Sequence, residues 1–506
     1  MVKRTKRLAP KPSYTSPKQL TLAGFETPFE QQLDESNRWV RLAKLIPWDE
    51  ICSEYLNAVG TGDTGLKPIN PRIIIGAVII KHLCKLDDEE TIQQISENMY
   101  MQYFLGYSSF STSQVFDSSL FVTIRKRLGV DTVNALTERI IALKTKMGEL
   151  PKEDKNEDKS GKDKTDHNSN PPQETVVNKG RILMDASACP QDISFPTDLD
   201  LLSNAREKSE QLIDRLFEES GLKKKPRTYR ENARKDYLHT AQNRNKSRKT
   251  IRKAVRKQLG YLNRNLKSID KLLDCYPNIP LSKAEYKYLL VINTVFEQQK
   301  EMYDQQKNRI DNRIVSIHQP HVRPIVRGKS KAKVEFGAKI HISVIDGITF
   351  LDELSWEAFN EGGHLIEYVE KYRKRFGCYP RELMADQIYC TRENRTALKA
   401  LKIKLIAKPL GRPSAVKEHI RPGERNPVEG KFGQAKTAYG LDRIRARLKK
   451  TSESWIASII LVLNLVKLAG LALYCLVRNT ILIGFDKTIT DLDFIICDKS
   501  GIECAT

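Results

Sequence analysis

Between Pro151 and Asn178 the chain reads PKEDKNEDKSGKDKTDHNSNPPQETVVN, a stretch with almost no apolar side chain. Such a segment has too little surface to bury against the entropy of being ordered. The expectation is a flexible linker at residues 151–178 that marks a domain boundary. Each side of it must then find its own core.

Upstream, residues 35–150 read as an all-helical N-terminal domain behind a basic arm, residues 1–34, that has no apolar run of a secretion signal. Asn70 and Pro71 supply a cap and a first turn for the apolar run Ile73 to Leu83. Further helices are expected over Asp88 to Asn98 and Asp117 to Leu128, the latter ending at Gly129. Tyr100, Tyr103, Phe104, Tyr107 and Phe110 fall between them. Two short helices about an aromatic turn suit a DNA-reading helix-turn-helix, with Arg125 and Arg127 on its second helix. Basic residues in a last helical turn have an equally ordinary electrostatic explanation.

Downstream, the short apolar strand Ile182-Leu-Met184 runs into Asp185. A long charged region follows, residues 203–312, which begins as a helix to Gly221 and in which Leu262, Leu266, Ile269 and Leu273 and then Tyr286, Leu289, Ile292 and Phe296 keep helical spacing on either side of Pro277 and Pro280. That pattern predicts an antiparallel helical hairpin inserted after the first strand. Its basic run KSRKTIRKAVRKQ, from Lys246 to Gln258, suits either a DNA backbone or a solvated face. Strand patterns resume with a hairpin over Val334 to Ser355, turning at Asp346-Gly347. Then come a helix to Phe376, the strand Glu382 to Ala385 ending at Asp386, a helix, the strand Lys404 to Ala407, and the basic stretch RNPVEGKFGQAK from Arg425 to Lys436.

The run Trp455 to Val477 is long and apolar enough to span a membrane, but Lys467 lies mid-way and Asn464, Lys467, Tyr474 and Arg478 share one stripe. A helix buried in a core is the expectation, with residues 479–506 as a tail and no membrane partner. The formal charge of +22 points to a polyanion, most simply DNA, and the nine scattered cysteines, with no C-x-x-C pair, argue against a zinc knuckle and for a reducing cytoplasm.

Asp185, Asp386 and Glu429 are candidates for one site. Acids at the ends of neighbouring strands can converge, and carboxylate oxygens suit Mg²⁺ or Mn²⁺. Each also has a plainer reading: Asp commonly ends strands, and Asn426, Pro427 and Glu429 are spaced as a capping box.

The order of strand with Asp, hairpin, helix, strand with Asp, helix, strand and helix with Glu is that of an RNase H-like α/β core. The stretches LMDASACPQDISFPTDLDLLSNARE, KVEFGAKIHISVIDG, MADQIYCTRENR and RNPVEGKFGQAKTAYGL, with the N-terminal NMYMQYFLGYSSFSTSQVFDSSLFVTIRKRLG, resemble the DDE transposases of bacterial insertion sequences, most closely the insertion-sequence-five group. The resemblance implies that Asp185, Asp386 and Glu429 hold two Mg²⁺ or Mn²⁺ ions. The catalytic core would then comprise residues 179–202 and 313–478. Arg425 and Lys436 match the family's signature around its glutamate, while Pro422 stands where that signature has Tyr. Lys436 lies seven residues after Glu429, about 20° away on the helix face. Lys431 and Lys408 are further phosphate-binding candidates.

The family implies cleavage at the element's ends and transfer of the freed 3′-hydroxyl into target DNA. It also implies double-stranded DNA as partner, with terminal inverted repeats read by the N-terminal domain, and a homodimer or higher assembly in the cytoplasm at the nucleoid. A decayed copy that only binds DNA, or a non-mobile RNase H-like nuclease, would carry the same residues.

Overall fold

The computed structural model describes residues 33–59, 69–146, 178–276, 278, 280–326, 334–407 and 426–468. The basic arm apart from residues 33 and 34, the polar stretch up to residue 177, the tail, Lys408, Pro422, Arg425, Tyr474 and Arg478 lie outside the described residues.

Among the described residues seven helices precede the sheet: α1 (Arg38–Leu45), α2 (Trp48–Val59), α3 (Pro71–Cys84), α4 (Asp88–Glu97), α5 (Met99–Phe104), α6 (Leu120–Arg127) and α7 (Val130–Lys146). Asn70 caps α3 by accepting the Arg72 N–H at 2.9 Å, with Pro71 in the first turn. The first part of the aromatic segment, Tyr100 to Phe104, is helical, while Tyr107 and Phe110 follow in a loop. Asn98 accepts the N–H groups of Tyr100 and Met101 and so starts α5 directly after α4. Asp117 accepts the Ser119 N–H and delays α6 to Leu120. The simple two-helix motif is therefore not formed: α4 and α6 are separated by a helix and a loop.

The sheet comprises β1 (Arg181–Pro190), β2 (Arg323–Val326), β3 (Val334–Ile345), β4 (Ile348–Ser355), β5 (Glu382–Met384) and β6 (Lys404–Ile406). β3 is antiparallel to β1 on one side and to β2 and β4, at successive levels, on the other; β5 and β6 run parallel to β1. At the β3–β4 turn both Asp346 and Gly347 have positive φ, as a tight two-residue hairpin requires. Gly337 serves close approach: a Cβ there would lie 2.0 Å from the Cys189 carbonyl oxygen on β1.

Helices α12 (Leu365–Phe376) and α13 (Arg392–Ala400) cover one face, where Ile182, Met184 and Phe350 meet Leu365, Tyr368, Val369 and Leu398. The other face presents Ala338, Ile340, Ile342 and Val344 to α14 (Asn426–Tyr439), to α15 (Lys449–Leu468) and, in the same apolar cluster, to the N-terminal helices. By length and composition α15 could cross a membrane, but 83% of its most apolar window is buried within the protein. Asn464, on the polar stripe, is wholly buried. Its amide both accepts the Thr349 N–H and donates to the Thr349 carbonyl, each at 2.8 Å, satisfying the outer edge of β4.

Among the described residues the insertion holds four helices, α8 (Asp198–Glu219), α9 (Arg230–Ala241), α10 (Arg248–Leu273) and α11 (Lys283–Asp304), one more than the first helix and the hairpin expected. Leu262, Leu266 and Ile269 are buried as their spacing predicts, but Leu272 takes the next core position rather than Leu273. On α11, Leu289 and Ile292 are buried, Val295 replaces Phe296, and Tyr286 is exposed. The extra helix α9 is pinned by Gln258, which donates to the Ala233 carbonyl, and by Tyr237, which donates to Asp200.

Candidate active site

β1 continues to Pro190, so Asp185 sits mid-strand and not at a strand end. Its side chain accepts the Ala186 N–H at 2.8 Å. β5 pairs in parallel with β1 only as far as Leu183 opposite Met384. Two residues further on each chain come Asp185 and Asp386, at one level on adjacent paths where the strands part. Asp386 then caps a single turn of 3₁₀ helix, Gln387–Tyr389, accepting the Gln387 N–H at 2.7 Å.

From across the sheet face, α14 supplies Glu429, Phe432, Gly433 and Lys436, the spacing of one helical stripe. Asp185, Asp386, Glu429 and Lys436 thus line a single cleft of about 730 Å³. Val428, Ala435 and Tyr439 on the same helix are buried in the core, which fixes the rotation that presents Glu429 to the cleft.

The cleft also holds two charged residues that sequence reasoning missed. Lys339 of β3 and Glu361 of the loop before α12 form an ion pair at 2.6 Å, and the Lys339 ammonium donates to the Phe359 carbonyl as well. Glu361 lies in a Gly-rich loop with no pattern to mark it, and Lys339 hides within a regular strand alternation. Ile325, Val326 and Ile388 complete an apolar wall.

Behind the sheet a β-bulge between His341 and Ile342 sets both Asp352 and Glu353 against β3. His341 is fully buried, stacked on Tyr368 at 3.6 Å and 3.4 Å from Asp352. Burial pushes the Asp352 carboxyl up, but His341 and Arg375 outweigh that and leave it below the ordinary carboxylate value. Tyr389, three residues after Asp386, meets His341 edge-on with ring centroids 6.0 Å apart. The buried set therefore braces the turn that carries Asp386.

Other candidates lie elsewhere. Lys431 is two residues from Glu429 and so turned well round the helix, outside the cleft; burial, with the Lys467 charge nearby, lowers its ammonium to about 8. Arg125 is buried and held by Asp88 at 2.8 and 2.7 Å, with its guanidinium 5.4 Å from the Trp455 ring, so its charge is spent inside the N-terminal core and not offered to DNA. Arg127 is exposed.

The carboxylates of the cleft are hard oxygen donors, the chemistry Mg²⁺ and Mn²⁺ select. Among the described residues no three His, Cys, Asp or Glu side chains stand close enough to cage one ion. Mg²⁺ ordinarily takes only one or two protein carboxylates and completes its shell with water and substrate phosphate, so this donor set fits it.

Residues 383–466, which contain Asp386, Glu429 and Lys436, match the family model described as a Transposase DDE domain. Residues 27–127 match a Transposase domain (DUF772). The two matches support a DDE transposase of the insertion-sequence type. The chain is also 36% identical over 94 residues to a Rhizobium meliloti protein described as uncharacterized protein ORF8 in nfe locus. That match covers 18% of this chain and 42% of the relative, so the chain spans about two-fifths of the relative's length. No solved structure matches.

Proposed function

We propose that this chain is a transposase that cuts DNA at the ends of its insertion sequence and transfers the freed 3′-hydroxyl into target DNA, with Asp185, Asp386 and Glu429 as its catalytic carboxylates. One observation carries the reading: three acids from β1, the end of β5 and α14, separated by 201 and 43 residues of chain, line one cleft with Lys436. With β2 and β4 both on the far side of β3, the order β3-β1-β5-β6, antiparallel at β3 and parallel at β5 and β6 to β1, is the order expected of an RNase H-like core and supports this reading.

Asp185, Asp386 and Glu429 would hold two Mg²⁺ or Mn²⁺ ions. When bound, such a pair activates the attacking oxygen and neutralises charge on the leaving one. Lys436, on the same helical stripe as Glu429, would clamp the phosphate beside the scissile bond, and the Lys339–Glu361 pair would close the cleft's flank. Arg425 would add a second clamp. Arg127, exposed where Arg125 is not, is the better N-terminal candidate for contact with the inverted repeats. Joining two ends requires two such sites, hence a dimer or larger assembly on DNA.

The test is nicking of duplex taken from the borders of the reading frame, with Mg²⁺ present. Wild type should nick and join; Asp185→Asn, Asp386→Asn and Glu429→Gln should each lose both activities while still binding the duplex. Retained nicking by any of the three would remove that residue from the metal site.

A further inference from the structure

We infer that the root half of α10 is a DNA-backbone surface that extends the catalytic cleft, a reading that rests on the cleft being the cutting site. The helix opens with Arg248, Lys249, Arg252, Lys253 and Arg256, all exposed, while Ala254, Val255 and Gln258 turn inward. Its first turn contains no acid. Cations there oppose the helix dipole, whose positive end already lies at the N-terminus. None of the five has an ion-pair partner among the described residues, whereas other insertion cations do: Lys257 with Asp236, and Lys225 and Arg230 with Asp214. A helix start that keeps five uncompensated charges, with exposed Arg234, Lys235, Arg244 and Lys246 beside it, is a concentrated site for a polyanion.

Position ties this surface to the cleft. The Arg252 guanidinium lies 4.1 Å over the ring of Tyr303, near the end of α11. Two residues on, Gln305 lines a second cleft of about 800 Å³ at the insertion's root, together with Phe195, Arg309, Arg313 and Val326. Val326 also lines the catalytic cleft. Both Val326 and Phe195 are strongly exposed, at 66% and 74%, and Phe195 packs its edge on Phe336. The path therefore runs from catalytic acids, past an apolar sill, through a groove of mixed charge in which Lys307, Arg309 and Arg313 stand against Asp198, Glu301 and Asp311, to the basic face of α10. Arg248, Lys249, Arg252, Lys253 and Arg256 spread over roughly 12 Å of helix axis, a linear charge density suited to a duplex with one phosphate per about 1.7 Å. The occupant is the duplex flanking the cut bond.

The experiment uses the full chain and reads binding without divalent metal, so that it does not depend on cleavage. Two variants each lose five positive charges: Arg248→Gln, Lys249→Gln, Arg252→Gln, Lys253→Gln and Arg256→Gln together, and, as control, the exposed lysines Lys223, Lys224, Lys267, Lys271 and Lys300 each changed to Gln. The probes are the border duplex with its flank and the same duplex trimmed at the element's end. The α10 variant should bind the long probe at least tenfold more weakly at moderate salt, with its salt slope reduced by up to about 4.5. It should bind the trimmed probe like wild type, and the control should match wild type on both. Wild-type affinity and slope in the α10 variant would overturn the inference and return the run to a solvated face. Equal losses in both variants, or on both probes, would overturn the assignment to the flank. If the track holds but Asp185→Asn still nicks, the proposed cutting site alone fails.

Discussion

The N-terminal helices and the insertion are both all-helical additions to one sheet, and they are integrated in opposite ways. The N-terminal helices are separated from β1 by the long polar stretch, yet share a continuous apolar cluster with β3, α14 and α15. The insertion is spliced between β1 and β2 and nevertheless closes a core of its own. The difference lies in how many faces each helix must bury. α3 is buried nearly all round, from Ile74 to His82, so neighbours on one side cannot satisfy it. α10 has a single apolar stripe, which α8 and α11 cover. Covalent distance does not decide integration; the number of apolar faces does.

The sharpest way to break that contrast is Asp88→Ala. Asp88 pairs with Lys81 at 2.8 Å and with Arg125, and both cations are buried over the Trp455 ring of α15. Removing the acid leaves two buried charges uncompensated, so a loss of about 3–5 kcal/mol is expected in denaturant unfolding. Hydrogen exchange should show α15 and β4 loosening along with α3 and α6; loosening confined to the N-terminal helices would mean the cores are not fused. Burial pushes the Asp88 carboxyl up, but Arg125 and Lys81 outweigh it and leave it lowered. Its stabilisation is thus present above the ordinary carboxylate range and fades as pH falls through that lowered value.

Ile269→Ala tests the other side. The residue is fully buried among α8, α10 and α11, and a cost of about 2–5 kcal/mol is expected. Amide protection should fall across the insertion while β3 keeps its own. A matching fall in β3 would show that the insertion is as integrated as the N-terminal helices.

Asn464→Leu sharpens the joint itself. The change strips the Thr349 N–H and carbonyl of their partners in a dry site, for about 1–3 kcal/mol, with faster exchange at the Thr349 amide as the local signature. Unchanged exchange there would mean that water replaces the amide.

Much of this was legible in the sequence because it depends on local rules. Asn70-Pro71, the Asp346-Gly347 turn, the strand alternation and the i, i+7 relation of Glu429 and Lys436 each specify geometry within a few residues. What the sequence concealed was long-range. Asp185 looked like a strand end because Ala186 to Pro190 carry no strong strand pattern; their strand conformation comes from pairing with β3. Arg125 looked like a DNA contact because nothing local reveals that Asp88, thirty-seven residues earlier, consumes its charge. Nothing near Asn464 in the chain reveals that its amide is matched to the backbone of β4. Lys339 and Glu361 escaped notice because an ion pair across a cleft has no spacing rule.

The smallest effect concerns two lysines of the shared core's rim. Lys431 on α14 lies half-buried near Lys467 on α15, whose stem rests on the Gly347 turn. Burial first, and the neighbouring charge second, lower the Lys431 ammonium from the usual 10.5 to about 8. The unfolded chain therefore binds more protons than the folded one between those values, and wild-type stability should rise as pH climbs through that window. Below pH 8 the folded protein bears the full cost of a poorly hydrated charge. Lys431→Met should consequently be more stable than wild type at neutral pH, by no more than about 1 kcal/mol because water still reaches the group. The advantage should shrink above pH 8 and vanish beyond 10.5. The same change at Lys267, exposed on the insertion, should stay within about 0.5 kcal/mol. A pH-independent gap at Lys431 would locate its ammonium in water, and the rim where α14 meets α15 would then be as open as the insertion's basic face.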